Sequence, residues 1–245
     1  MPGFTSGKPR PQNEKHSLRV PASPLGKPVN AHLQRHGENA FLERFLAHCH
    51  RHRYPARTDI IHPGDPADTL YYIVEGSVSI LMEDEEGHEI VLTYTNAGEF
   101  IGEVGVFTDV ESRGVIVRTR SPCHLAEISY RHLRSLLSGP LASQETEIVY
   151  ALGRQLALRL LHSDRKVSHL AFLDVTGRIA RTLLDLCREP DAMTHPDGMQ
   201  IRVTRQEIGR IVGCSREMAG RVLKNLEERG LISVKGKTIV VFGAR

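Results

Sequence analysis

Arg216, Glu217 and Arg221 lie close together in the chain, with Lys224 one helical turn further on. An arginine fork can donate two hydrogen bonds to guanine O6 and N7, and a glutamate can accept one from cytosine N4. Lysine acts as a point charge for a phosphate. A second grouping, Gly102-Glu103 followed by Arg113-Gly114, offers different chemistry. Backbone N–H groups beside glycine approach a phosphate closely, arginine neutralises it, and glutamate accepts from a sugar hydroxyl. A Gly-rich barrel corner with a surface ion pair accounts for the same residues nearly as well, so both readings stand. A third grouping, His48, His50 and His52, invites a metal. Arg51 and Arg53 would repel a cation there and no carboxylate follows at useful spacing, so no metal is assigned.

The first group needs a helix to carry it, and the flanking residues supply one. Thr204 and Glu207 have capping-box spacing at a helix start. Gly213 suits a left-handed turn, and Ser215 caps a second helix. Ala219, Val222, Leu223 and Leu226 recur at helical spacing and form its buried stripe. Arg216, Glu217, Gly220, Arg221 and Lys224 take the opposite face. Cap, glycine turn, stripe and basic face together favour a helix-turn-helix over a solvated helix pair, with the second helix entering a DNA major groove. Leu231–Val234 and Lys237–Phe242 then read as a hairpin, or wing, with Lys235 and Lys237 at its tip within reach of phosphate.

Charge divides the same way. From Gln200 to Arg245 there are 10 Lys and Arg against 4 Asp and Glu, a net +6; the remainder has 22 against 25, a net −3. A basic module on a slightly acidic body suits a polyanion-binding end joined to a sensing part. The 245 residues allow two domains. Cys49, Cys123, Cys187 and Cys214 are scattered, which argues against a zinc or disulfide framework and for a reducing cytoplasm. No apolar run is long enough to span a membrane, and no membrane partner is expected.

Between Tyr54 and Tyr130, short alternating runs separated by turns predict an antiparallel barrel or roll. Tyr72 and Val74, then Val78, Ile80 and Met82, are the inward positions. From about Gln144 to Leu170 a long helix follows, with Val149, Leu156, Ser163 and Leu170 every seven residues and Leu152, Leu160 and Val167 between. Such a heptad predicts a coiled-coil dimer. Ser163 interrupts the seam and Asp164 follows it; a polar seam residue either fixes register or meets a ligand. The expected fold is α+β: a disordered extension over residues 1–37, a cyclic-nucleotide-binding-like antiparallel β-roll over 38–143, a dimerisation helix and hinge over 144–172, and a winged helix-turn-helix over 173–245.

These pieces, in this order, resemble the Crp/Fnr family of bacterial transcription regulators from Phe41 to Arg245. The stretch from Gly102-Glu103 to Arg113, the block Leu170-Ala171-Phe172-Leu173-Asp174-Val175-Thr176-Gly177-Arg178-Ile179 and the helix-turn-helix are similar to its cAMP receptor branch. Phe45-Leu46-Ala47-His48 and Ser215–Arg221 further resemble its Clp subgroup, the catabolite-activator-like regulators of virulence and biofilm genes. The resemblance implies a non-enzymatic homodimer on a near-palindromic operator, activating and in some settings repressing. Arg216, Glu217 and Arg221 would read bases, while Thr204, Arg205, Ser215 and Lys224 would hold the backbone. The loop Thr194-His195-Pro196-Asp197-Gly198 would touch the RNA polymerase alpha subunit. The clustered N-terminal cysteines of an Fnr-like iron–sulfur sensor are missing, so no prosthetic group is implied.

The effector implied is a cyclic nucleotide. Members that bind cAMP follow the arginine with Ser or Thr, where this chain has Gly114, and present two hydroxyl residues where it has Ser163 and Asp164. A carboxylate accepts two hydrogen bonds from guanine N1–H and N2–H₂, whereas adenine offers it an acceptor on that edge. The expectation is therefore cyclic di-GMP first and cAMP second, bound by Gly102, Glu103, Arg113, Gly114, Ser163 and Asp164. A nucleotide-binding module working through protein partners, without specific DNA binding, is the alternative.

Overall fold

The computed structural model describes residues 38–244; the expected extension over 1–37 lies outside them. Helix α1 (Glu38–Ala47) leads into eight strands: β1 (His50–Tyr54), β2 (Asp59–Ile61), β3 (Thr69–Glu75), β4 (Ser77–Glu83), β5 (Glu89–Asn96), β6 (Phe100–Ile101), β7 (Ile116–Thr119) and β8 (Cys123–Ser129). A single turn, α2 (Val104–Phe107), follows β6, and α3 (Tyr130–Leu137) follows β8. The strands form two antiparallel sheets, β1-β8-β3-β6 and β2-β7-β4-β5, facing each other as a roll. The basic segment that carries His50, Arg51, His52 and Arg53 is β1, paired along its length with β8.

Simple alternation mispredicts two strands. A bulge between Ile80 and Leu81 shifts β4 against β5. Beyond it the inward face moves by one residue, so Leu81 is 2% exposed and Met82 is 46% exposed. A second bulge between Ile73 and Glu75 buries Ile73 and leaves Val74 half-buried.

The 28-residue helix α4 (Glu145–Phe172) has two working faces. At about 100° per residue, Ile148, Leu152, Gln155, Arg159 and Lys166 share one stripe, and it lies on the roll. Leu152, assigned by spacing to the dimer seam, is instead packed with Ile148 in the core formed by Phe45, Leu70, Phe100 and Leu133. Val149, Leu160 and Val167 lie on the next stripe and remain exposed, Leu160 at 63% and Val167 at 64%. Ser163 falls between the two stripes and Asp164 beyond the second.

A hinge at Leu173 leads into α5 (Val175–Leu186), capped by the Asp174 carboxylate, which accepts from Gly177 N at 2.7 Å. Then come β9 (Met193–His195), β10 (Gly198–Arg202), α6 (Arg205–Val212), α7 (Arg216–Glu228), β11 (Ile232–Lys235) and β12 (Thr238–Phe242), the strands in the order β11-β12-β10-β9. Ile179, Leu183, Ile208, Ala219, Leu223 and Ile239 converge in one core, each large side chain stabilising by about 1.5–3 kcal/mol.

The turn between α6 and α7 depends on two glycines. Gly213 adopts φ 68°, ψ 57°, a left-handed conformation that costs a side chain energy. A Cβ on Gly209 would stand 2.5 Å from the Cys214 carbonyl oxygen, so the helices close only over a glycine. Gly213→Ala is expected to lower stability by about 1 kcal/mol. Gly209→Ala is expected to do more damage. Urea unfolding of both variants checks the order.

Candidate functional site

The Gly102-Glu103 corner follows β6. Gly102 has φ +87°, and a Cβ there would stand 2.7 Å from both the Thr69 carbonyl oxygen and Arg113 Nη1. Glu103 begins α2 and is 0% exposed. Its Oε1 pairs with Arg159 Nη1 from α4. Arg159 Nη2 donates to Thr95 Oγ1 at 3.1 Å and to the Phe100 carbonyl at 2.9 Å. Gln155, one turn earlier, accepts from Phe100 N at 2.7 Å and donates to Phe100 O at 2.8 Å. Helix α4 is thereby stitched to β5 and β6.

Glu103 and Arg113 do not form the surface ion pair that was one reading of this stretch. Arg113 Nη1 donates to the Tyr130 hydroxyl at 3.1 Å and Nη2 to the Thr69 carbonyl. The Tyr130 hydroxyl donates onward to Gly102 O at 2.6 Å, and burial pushes its pKa up. Glu103 Oε2 is buried and has no hydrogen-bond partner among the described residues. A buried acceptor without a donor is expensive. Gly114 is open: a Cβ added there meets nothing within 4 Å. Ser163 and Asp164 are exposed, one turn beyond Arg159, and neither side chain makes a hydrogen bond or ion pair among the described residues.

Sequence reasoning missed Arg159, Gln155, Thr95 and Tyr130. Gln155 and Arg159 were legible as an i, i+4 polar pair on the stripe of Ile148 and Leu152. Lys166 lies on the same stripe; its amine donates to Val91 and Leu92 carbonyls, and burial lowers its pKa to about 8. His48, His50 and His52 come no closer to a metal site: no group of His, Cys, Asp and Glu among the described residues is arranged to hold an ion. His52 pairs instead with Glu127 at 2.9 Å.

The second site is the exposed face of α7. Thr204 Oγ1 accepts from Glu207 N at 3.1 Å and Ser215 Oγ from Met218 N at 3.2 Å, so both helices start where expected. The reciprocal half of the capping box is absent, because Glu207 Oε1 accepts from the Tyr94 hydroxyl of β5 at 3.0 Å. Arg216, Glu217, Arg221 and Lys224 are exposed together, while Ala219, Val222, Leu223 and Leu226 are buried. Gly220 lies under Arg205, whose Cδ would be 3.4 Å from an added Cβ. Lys235 and Lys237 flank Gly236 at the wing tip, all exposed. Glu227 Oε1 accepts from Val234 N at 2.7 Å and fixes the wing to α7. Thr194, His195, Pro196, Asp197 and Gly198 form the tip of the β9–β10 hairpin, with Asp197 N donating to His195 Nδ1 at 3.2 Å.

A roll with a buried acidic acceptor, a long helix laid across it and a winged helix-turn-helix beyond define a small-molecule sensor coupled to a DNA-binding domain. Comparison with known proteins makes the class specific. Residues 51–139 match the cyclic nucleotide-binding domain, and residues 177–242 match the Crp-like helix-turn-helix domain. The chain is 59% identical over 207 residues to the cAMP-activated global transcriptional regulator Vfr of Pseudomonas aeruginosa, covering 83% of this chain and 94% of that one. It is 58% identical over 204 residues to the CRP-like protein Clp of Xanthomonas campestris pv. campestris, covering 83% and 89%. Among solved structures it is similar to the c-di-GMP responsive global regulator CLP of Xanthomonas campestris, at 57% identity and a TM-score of 0.80, over 84% of this chain and 99% of that one. The chain belongs to the Crp/Fnr family of transcription regulators and is not an enzyme. Among the described residues no helix is long and apolar enough to cross a membrane.

Removing Arg159 would leave a fully buried carboxylate unpaired. Arg159→Met is expected to destabilise by about 3 kcal/mol. Adding Glu103→Gln is expected to restore much of that loss. Denaturant unfolding of the single and double variants checks both.

Proposed function

We propose that the chain is a homodimeric regulator whose grip on a near-palindromic operator is set by a cyclic nucleotide, cyclic di-GMP ahead of cAMP. One observation carries the effector site: Glu103 Oε2 is buried without a donor beside the left-handed Gly102. In this reading Glu103 takes a ribose hydroxyl. Arg113 swings from Tyr130 and Thr69 to neutralise a phosphate, and the Gly102 and Gly114 backbone lies alongside. Ser163 and Asp164 complete the pocket from the dimer helix. The roll over residues 38–143 senses, the helix and hinge over 144–172 dimerise and transmit, and residues 173–245 bind DNA.

Support for the dimer is the exposed apolar stripe of Val149, Leu160 and Val167, which spans the helix and has no cover among the described residues. Ser163 borders that stripe on the side of the roll. Asp164 sits beyond it, facing where a second copy would bring its own pocket. Its carboxylate matches the N1–H and N2–H₂ edge of guanine, which favours cyclic di-GMP. The CLP structure, described as c-di-GMP responsive, points the same way. cAMP is the second reading, supported by the 59% identity to Vfr, which is described as cAMP-activated.

On DNA, Arg216, Glu217 and Arg221 read base edges, with Gly220 letting the duplex approach. Thr204, Arg205, Ser215, Lys224, Lys235 and Lys237 hold phosphates. The hairpin tip Thr194–Gly198 offers RNA polymerase an exposed surface through its alpha subunit.

Calorimetric titration of the dimer with cAMP and, separately, cyclic di-GMP tests the effector. The expected result is cyclic di-GMP binding that Arg113→Ala abolishes while the dimer persists. Binding of cAMP alone would give the second reading, and binding of neither would remove the effector site. Arg216→Ala should cost about 1–3 kcal/mol of operator binding and relax preference at one base pair. Unchanged preference in a base-substituted operator series would show that α7 is not the reading helix.

A further inference from the structure

Strand β5 is contacted on one side by Arg159 of α4, the partner of Glu103, and on the other by α6 of the winged domain. Its adjacent residues Tyr94 and Thr95 point to opposite faces, as strand geometry requires. Thr95 is 1% exposed and accepts from Arg159, the partner of Glu103. Tyr94 faces α6, where its hydroxyl donates to Glu207 Oε1 at 3.0 Å. Around Tyr94 the winged domain is held at several further points. Arg210 Nη2 pairs with Glu89 Oε2 at 3.0 Å, and Glu89 is itself held by Arg118 at 2.8 Å. Arg120 lies 3.9 Å over the Tyr94 ring and reaches Asp191 at 2.9 Å. Asn96 donates to Glu189 at 3.2 Å, and Ile211 packs on Leu81, Val91 and Ile116.

We propose that β5 is the relay between effector pocket and DNA-binding domain: Thr95 registers the state of the Arg159–Glu103 pair, and Tyr94 with Glu89 sets the seat of α6. This rests on the effector reading above, since a hydroxyl donating to the free Glu103 Oε2 weakens the carboxylate's pull on Arg159 at Oε1 and so shifts the arginine's hold on Thr95. Tyr94 and Arg210 are positioning residues. They touch neither the proposed pocket nor the face of α7 that would meet DNA.

Two features give the seat a means to change state. Glu207 has an alternative local use: released from Tyr94, its carboxylate can turn back to the Thr204 N–H and complete the capping box. The undocked winged domain therefore loses no cap. The docked face of α6, carrying Glu207, Arg210 and Ile211, is separate from the exposed residues of α7. Docking thus leaves the reading face open and fixes its orientation across the Leu173–Asp174 hinge.

The test compares operator affinity of the full-length protein, with and without saturating cyclic di-GMP and, separately, cAMP, for wild type, Tyr94→Phe and Arg210→Gln. Calorimetry on the same samples reads nucleotide affinity. The expected result is nucleotide affinity within about twofold of wild type, while the nucleotide-induced change in operator affinity falls by about fivefold or more toward none. Thermal unfolding of Tyr94→Phe should stay near wild type, which a merely structural tyrosine would not allow. An unchanged nucleotide effect on DNA in both variants, with nucleotide binding intact, overturns the relay alone. A wild-type chain that binds neither nucleotide overturns the effector reading and removes the relay's input with it.

Discussion

The buried Glu103–Arg159 pair is the constraint on which the rest of the molecule turns. A carboxylate with no solvent exposure is tolerated only when a cation answers it, and the cation comes from α4. That one contact fixes the rotation of a 28-residue helix. Once Arg159 faces the roll, Ile148, Leu152, Gln155 and Lys166 must face it too. Val149, Leu160 and Val167 are then left outward. The sensor's core chemistry and the chain's apolar outer stripe are therefore two sides of one helical register.

The pairing also explains why the pocket looks half-dressed. Arg113 is parked on Tyr130 and Thr69 rather than on the acid, and Tyr130 in turn holds the Gly102 carbonyl. Among the described residues, Arg113, Tyr130 and one oxygen of Glu103 have protein partners, while the other oxygen of Glu103 is buried without one. A ligand bringing one phosphate and one hydroxyl would trade bonds with groups already aligned, at little cost in side-chain entropy. The same economy appears in the winged domain, where Thr204, Ser215 and Gly213 fix two helices by contacts a few residues apart.

Legibility in the sequence follows contact range. The helix-turn-helix was readable to the residue because caps, the glycine turn and the apolar stripe are local. The wing was readable for the same reason. Glu207 was misread as a reciprocal cap because its actual partner, Tyr94, lies 113 positions away. Met82 was assigned inward because a bulge leaves no trace in alternation. Leu152 was counted with the seam because a heptad cannot say which of two apolar neighbours meets the chain's own core. Gln155 and Arg159 were overlooked because polar residues on a long helix read as solvated until a buried acid is found opposite them.

Lys166 adds a consequence of another kind. Strand β5 ends its sheet, and a free sheet edge is a template for pairing with another chain. Here the Lys166 amine covers the Val91 and Leu92 carbonyls, and α6 lies against the same strand through Tyr94 and Glu89. The edge is blunted by a charge and a helix rather than by proline or by brevity. The elements that would carry a signal therefore also guard the molecule against self-association along its sheet, so that solubility and regulation draw on the same few side chains.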